Sequence, residues 1–130
     1  MTMLWTTWIA MGALLGMTGV AAGAFGAHAL KTRVEPDMLA IFETAARYQM
    51  YHAVALVGLG LFASRIDQSM LQVSGYSFLA GTLVFSGTLY ALVLTGNRSL
   101  GAITPVGGAL LIFGWLMLAV VAMRASFGQG

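Results

Sequence analysis

LQVSGYSFLAGTLVFSGTLYALVLT, residues Leu71–Thr95, runs for 25 positions without a charged side chain. As a helix rising 1.5 Å per residue it covers about 37 Å, more than the roughly 30 Å of a bilayer's hydrocarbon core. A stretch this long and this apolar reads as a membrane-crossing helix. Thr82, Ser86 and Tyr90 recur within it at every fourth position and share one face. Their hydroxyls can bond across to a neighbouring helix or back to the preceding turn.

Working outward, the rest of the chain has the same character. Leu4–Ala27 carries no charge, and neither does Ile103–Met123. Across 130 residues, hydrophobic types make up 59% and charged types 8%, against about 25% charged in soluble domains. Four acidic and six basic side chains cannot cover the surface of a water-soluble fold this small. The expectation is an all-α membrane protein forming one domain over 1–130, with partners in the lipid bilayer. A net charge of +2 gives no electrostatic case for nucleic acid. With no cysteine, disulfide and thiol–metal chemistry have no ligands.

Between the first and third apolar runs lies Phe42–His52, FETAARYQMYH, which gathers an acid, a base, two tyrosines, a glutamine and a histidine. Pro36 and Asp37 suit the first turn of a helix that continues through it. Residues 37–47 read as an amphipathic lead-in, with Glu43 and Arg47 paired at i,i+4. The second span then occupies 48–64, with Tyr48, Tyr51 and His52 marking the interface. The spans are therefore expected at about 4–27, 48–64, 71–95 and 103–123. Short connections between them force an up-down bundle. Trp5 and Trp8 are expected as interface anchors. The leading run is long for a signal peptide and lacks a basic n-region, so a retained helix is expected.

Gly12, Gly16, Gly19, Gly23 and Gly26 fall on one stripe of the first span, and Gly107 and Gly114 on one side of the fourth. Side-chain-free stripes let helix backbones approach closely, so all seven are expected as packing positions.

Alternating spans put connections one and three on one membrane side. The candidate polar site at that end comprises His28, Glu43, Arg47, Tyr48, Gln49, His52, Ser86, Tyr90 and Thr104. His28, His52 and Glu43 lack the spacing of a metal or haem site, so no metal and no cofactor is expected. Ser86 or Thr104 with His52 as base lacks both a G-x-S-x-G turn and an orienting third group, so no enzyme is expected. A coupled transporter needs a titratable group at mid-bilayer, and none is expected there.

Four blocks in order, GAFGAHAL at Gly23–Leu30, TAARYQMYH at Thr44–His52, LVFSGTLYALVLTG at Leu83–Gly96 and GAITPVGG at Gly101–Gly108, resemble a known family. It is the small bacterial membrane family catalogued as domain of unknown function 423, which has mitochondrial relatives. The resemblance implies a multi-pass membrane protein with no assigned activity and no catalytic residues to carry over. It marks His28, Tyr48, Gln49, His52, Ser86, Tyr90, Thr104 and Pro105 as family positions. Counted alone, the basic residues lean to connections one and three being cytoplasmic, with Lys31, Arg33 and Arg98 there; the resemblance instead implies cytoplasmic termini, from basic residues after spans two and four, although this chain has one arginine at each place, Arg65 and Arg124. The reading reached is a structural or accessory protein of the bacterial inner membrane. Its expected partners are lipid, a larger membrane complex or further copies of itself. The alternative is a small-solute transporter or channel with its site near Glu43–His52.

Overall fold

A computed structural model describes residues 2–66 and 69–128. Four long helices carry the fold: α1 (Trp5–His28), α2 (Pro36–Ala63), α3 (Ser69–Thr95) and α4 (Thr104–Phe127). Short 3-10 turns at Leu30–Thr32 and Arg98–Ala102 complete the connections, and no strand occurs among the described residues. Trp5–Thr32, Ser69–Thr95 and Arg98–Phe127 are each long and apolar enough to cross a membrane. The expected lead-in and second span are one unbroken helix, α2, which carries Asp37, Glu43 and Arg47 along its first half. Asp67 and Gln68, expected in the second connection, lie outside the described residues.

The helix ends follow local chemistry. Pro36 and Pro105 both sit in first turns, where a missing N–H costs nothing and φ is already helical. α3 stops at Gly96, whose φ of +71° lets its N–H turn back to Leu92 O at 2.9 Å; a side chain there would be strained. The Asn97 side chain then accepts from the Ser99 N–H and opens the Arg98–Ala102 turn.

α2 and α3 form the middle of the assembly, with α1 packed on α2 and α4 packed on α3. As α1 is followed from Trp5 to Gly26, its partners on α2 descend from Gly60 to Phe42. Glycine sets how closely these pairs approach. A Cβ on Gly12 would lie 2.7 Å from Ala53 O, and one on Gly19 would lie 2.7 Å from the Met50 sulfur. On Gly26 it would press the Phe42 ring at 3.1 Å. Those three positions, seven residues apart, are the packed ones. Gly16 has only an ordinary contact at 3.9 Å, and Gly23 faces open space, so the expected stripe of five narrows by the drift of a 3.6-residue helix around its partner. On α4, a Cβ on Gly107 would press the Phe85 backbone and one on Gly114 the Phe78 ring. Gly60, Gly75 and Gly81 make equally close approaches, and the sequence reading had not marked them.

Trp8 is not an interface anchor. It is 0% exposed and belongs to a core cluster with Leu56, Leu59, Leu71, Phe78, Leu111 and Val121. Gly75 makes the room: its missing Cβ would lie 2.7 Å from the indole. Trp5, one turn earlier, is exposed.

Candidate functional site: a polar seam at half-height

The polar side chains expected at one end of the molecule separate into two sets. Gln49, His52, Ser86 and Thr104 are buried. His28, Glu43 and Arg47 are exposed, and Tyr48 is partly so.

Gln49 is the hub of the buried set. Its amide Nε2 donates to Leu15 O at 2.9 Å and to Thr18 Oγ1 at 2.8 Å. Its Oε1 accepts from the Tyr90 hydroxyl at 2.7 Å. One side chain thus joins α1, α2 and α3. Ser86 Oγ donates to Ala45 O at 2.8 Å, a second tie between α3 and α2. Thr104 and Thr88 share a hydroxyl–hydroxyl bond of 2.7 Å between α4 and α3. Ser74 Oγ, which sequence reasoning had not singled out, donates to Gly114 O at 2.7 Å.

His52, three residues further along α2, reaches α4. Trp115 Nε1, which can only donate, points to His52 Nε2 at 3.0 Å. Nε2 must therefore carry a lone pair. Nδ1 holds the proton and donates to Tyr48 O at 2.7 Å. Both ring nitrogens are committed and the imidazole is neutral, assigned here from its partners. Phe78 and Trp115 flank the ring at centroid distances of 5.5 and 6.0 Å. Such a histidine has no free nitrogen for a metal or for a base's role.

The height of this seam corrects the sequence reading. A Cβ on Gly16, near the middle of α1, would lie 3.9 Å from the Ala53 side chain. Trp115, near the middle of α4, contacts His52. Tyr51 is midway between Asp37 and Arg65 along the chain. Gln49 and His52 therefore lie level with the middles of α1 and α4, away from the ends of the helices. Glu43 and Arg47 are exposed while Phe42, Ala45, Ala46 and Gln49 between and beside them are buried, so the inner face of α2 continues unbroken before His52. His28 closes α1 near the level of Phe42, since Gly26 meets that ring. His52 lies ten residues, about 15 Å of helix, further along, so the two histidines do not meet. The Glu43–Arg47 pair is not made either. Among the described residues the ion pair is Arg98–Asp37 at 2.6 Å, which ties the Arg98–Ala102 turn to the start of α2. The Arg98 guanidinium, by its hydrogen bond, holds the Asp37 carboxyl below its ordinary value of 3.8.

A cavity of about 300 Å³ opens beside the seam, lined by Thr18, Gln49, Thr82, Ser86 and Tyr90 with Leu83 and Gly87. The i,i+4 face read from α3 is real, since all three hydroxyl residues line it. Thr82 Oγ1 and Trp8 Nε1 are the buried side-chain polar atoms without a hydrogen-bond partner among the described residues. A larger hollow, about 420 Å³, lies at the opposite end near Trp5, Arg65 and Gln72, away from the seam.

Residues 22–108 match the model of a family described as "Protein of unknown function (DUF423)". The chain belongs to that family. The matched span holds Gln49, His52, Ser86, Tyr90 and Thr104; Thr18 and Trp115, which complete the seam, fall outside it. The chain is similar to a UPF0382 membrane protein of Staphylococcus aureus, 42% identical over 89% of this chain and 94% of that one. A Staphylococcus saprophyticus UPF0382 membrane protein is 44% identical over 86% and 92% of the two chains. One from Bacillus subtilis is 37% identical over 89% and 95%. No solved structure matches. DUF423 proteins are membrane proteins with no assigned activity, and this chain is a small integral membrane protein of that kind.

Proposed function

We propose that this DUF423 protein is a structural or accessory component of the bacterial inner membrane, not an enzyme. In this reading all 130 residues form one up-down bundle. α2 crosses as a fourth span that enters by its amphipathic lead-in, and both termini are cytoplasmic. The observation that carries it is the saturation of the seam. Gln49, His52, Ser86, Tyr90 and Thr104 all hydrogen-bond to neighbouring backbone or side chains. In hydrocarbon, such bonds join helices that have no hydrophobic drive to associate. A catalytic or transport site keeps a nucleophile, base or ligand free for its substrate, and the seam offers one orphan hydroxyl, Thr82.

The outer faces support docking. Leu14, Met17 and Val20 on α1, and Ile112 and Leu116 on α4, are exposed and suit lipid or another membrane protein. Gentle native purification tests the reading: a larger complex or tightly held lipid is expected, and a bare monomer in every detergent overturns it. A reporter fused to the C-terminus tests the orientation.

A second reading, passage of a small neutral solute, has one observation in its favour: the 300 Å³ cavity beside Gln49. Flux through proteoliposomes decides it, with no flux above empty vesicles expected under the accessory reading.

A further inference from the structure

α2 has one face that none of the described residues covers. Ala40, Glu43, Arg47, Tyr51, Val54 and Leu61 recur at helical spacing and are all exposed, with Tyr51 at 56% and Val54 at 67%. Elsewhere α2 is covered by α1 and α3. In a membrane, exposed valine and leucine need no explanation. Glutamate and arginine do.

Taking Tyr51 as the middle of α2, Arg47 lies about 6 Å and Glu43 about 12 Å from that level. Both fall inside the roughly 15 Å half-thickness of the hydrocarbon core. A charged side chain at such depth is costly and calls for a partner. Acid four residues before base is the favourable order for a pair within one helix. Yet no ion pair joins the two, and neither side chain hydrogen-bonds to another described residue.

We propose that this face of α2 is a homodimer interface, in which Arg47 of each copy bridges to Glu43 of the other. The sequence on the face is self-complementary. In a parallel pair related by a two-fold axis along the membrane normal, each contact occurs twice. Arginine spans the one-turn offset to Glu43 as long side chains do between parallel helices of a coiled coil. Two acid–base pairs then form where water is scarce, and the interface carries no net charge. Below them Tyr51, Val54 and Leu61 supply apolar contact. The inference rests on the reading that α2 crosses the bilayer, and it names the partner as a second copy.

The cysteine-free chain makes the test direct. Val54→Cys and Ala40→Cys, oxidised in native membranes, are expected to give disulfide-linked dimers. Leu14→Cys and Ile112→Cys, on the outer faces of α1 and α4, are expected to stay monomeric. In liposomes, Glu43→Arg or Arg47→Glu alone should lower the dimerisation constant about tenfold, and the double swap Glu43→Arg/Arg47→Glu should restore it. Three results overturn the proposal: a wild type monomeric at high protein-to-lipid ratio, a double swap no better than the singles, or Val54→Cys crosslinking to a different protein. If a swapped variant fails to insert, the cysteine pattern still decides. Labelling Glu35→Cys and Arg65→Cys from each side separates the two claims. Same-side labelling defeats the crossing of α2, whereas opposite-side labelling with monomers defeats only the dimer.

Discussion

Trp115 donates its indole N–H to His52 Nε2 at 3.0 Å, and that one contact fixes the state of the imidazole. An indole cannot accept, so the ring proton sits on Nδ1, where Tyr48 O receives it at 2.7 Å. His52 is a neutral cross-link between α2 and α4.

Nitrogen NMR of labelled protein should therefore show His52 as the Nδ1–H tautomer at neutral pH. Trp115→Phe keeps an aromatic ring, though a smaller one, and removes the donor, leaving Nε2 without its partner. It should destabilise the fold by about 1–3 kcal/mol, read as unfolding in mixed micelles. An Nε2–H tautomer in the wild type overturns the assignment.

Gln49→Leu should cost more than a single hydrogen bond, since it releases Thr18, Leu15 O and Tyr90 together. A double-mutant cycle of Gln49→Leu with Tyr90→Phe should show a coupling of about 0.5–2 kcal/mol. Additive losses would mean that the 2.7 Å bond between them contributes nothing to stability.

The glycines predict a contrast. Gly12→Ala and Gly114→Ala each place a Cβ 2.7 Å from a neighbour and should destabilise by about 1–3 kcal/mol. Gly23→Ala meets nothing within 4 Å and should be neutral or slightly stabilising, by up to about 1 kcal/mol of helix propensity. Equal effects at Gly23 and Gly12 would refute the packing described for α1.

Asp37, at the mouth of α2 and outside the apolar depth, predicts a pH effect. Its carboxyl titrates lower in the folded protein because Arg98 bonds to the ionised form. The resulting stabilisation is present above the ordinary carboxylate value and disappears as pH falls through the folded one. Arg98→Gln should bring the Asp37 titration, followed by carboxyl carbon NMR, back towards 3.8. The pair is exposed on both sides, so its effect on overall stability should be small and weaken with salt.

Much of the helix layout was legible in the residues. Uncharged runs mark α1, α3 and α4 because hydrocarbon excludes charge over a fixed length. Pro36, Pro105 and the polar connections mark the ends by backbone chemistry. The candidate site was legible only in part. Gln49, His52, Ser86 and Thr104 are buried and, with half-buried Tyr90, form the seam, whereas His28, Glu43 and Arg47 are exposed. Trp8 went unrecognised as core because its pocket is made by Gly75, 67 positions away in the sequence.

By itself the sequence determined that this chain is helical and belongs in a membrane, because length and polarity are properties of single stretches. Tertiary structure alone decided which glycines touch, how high His52 sits and which nitrogen carries its proton. Those depend on how far one helix slides along another. That offset is set by side-chain fit between segments distant in the chain, and no local pattern records it.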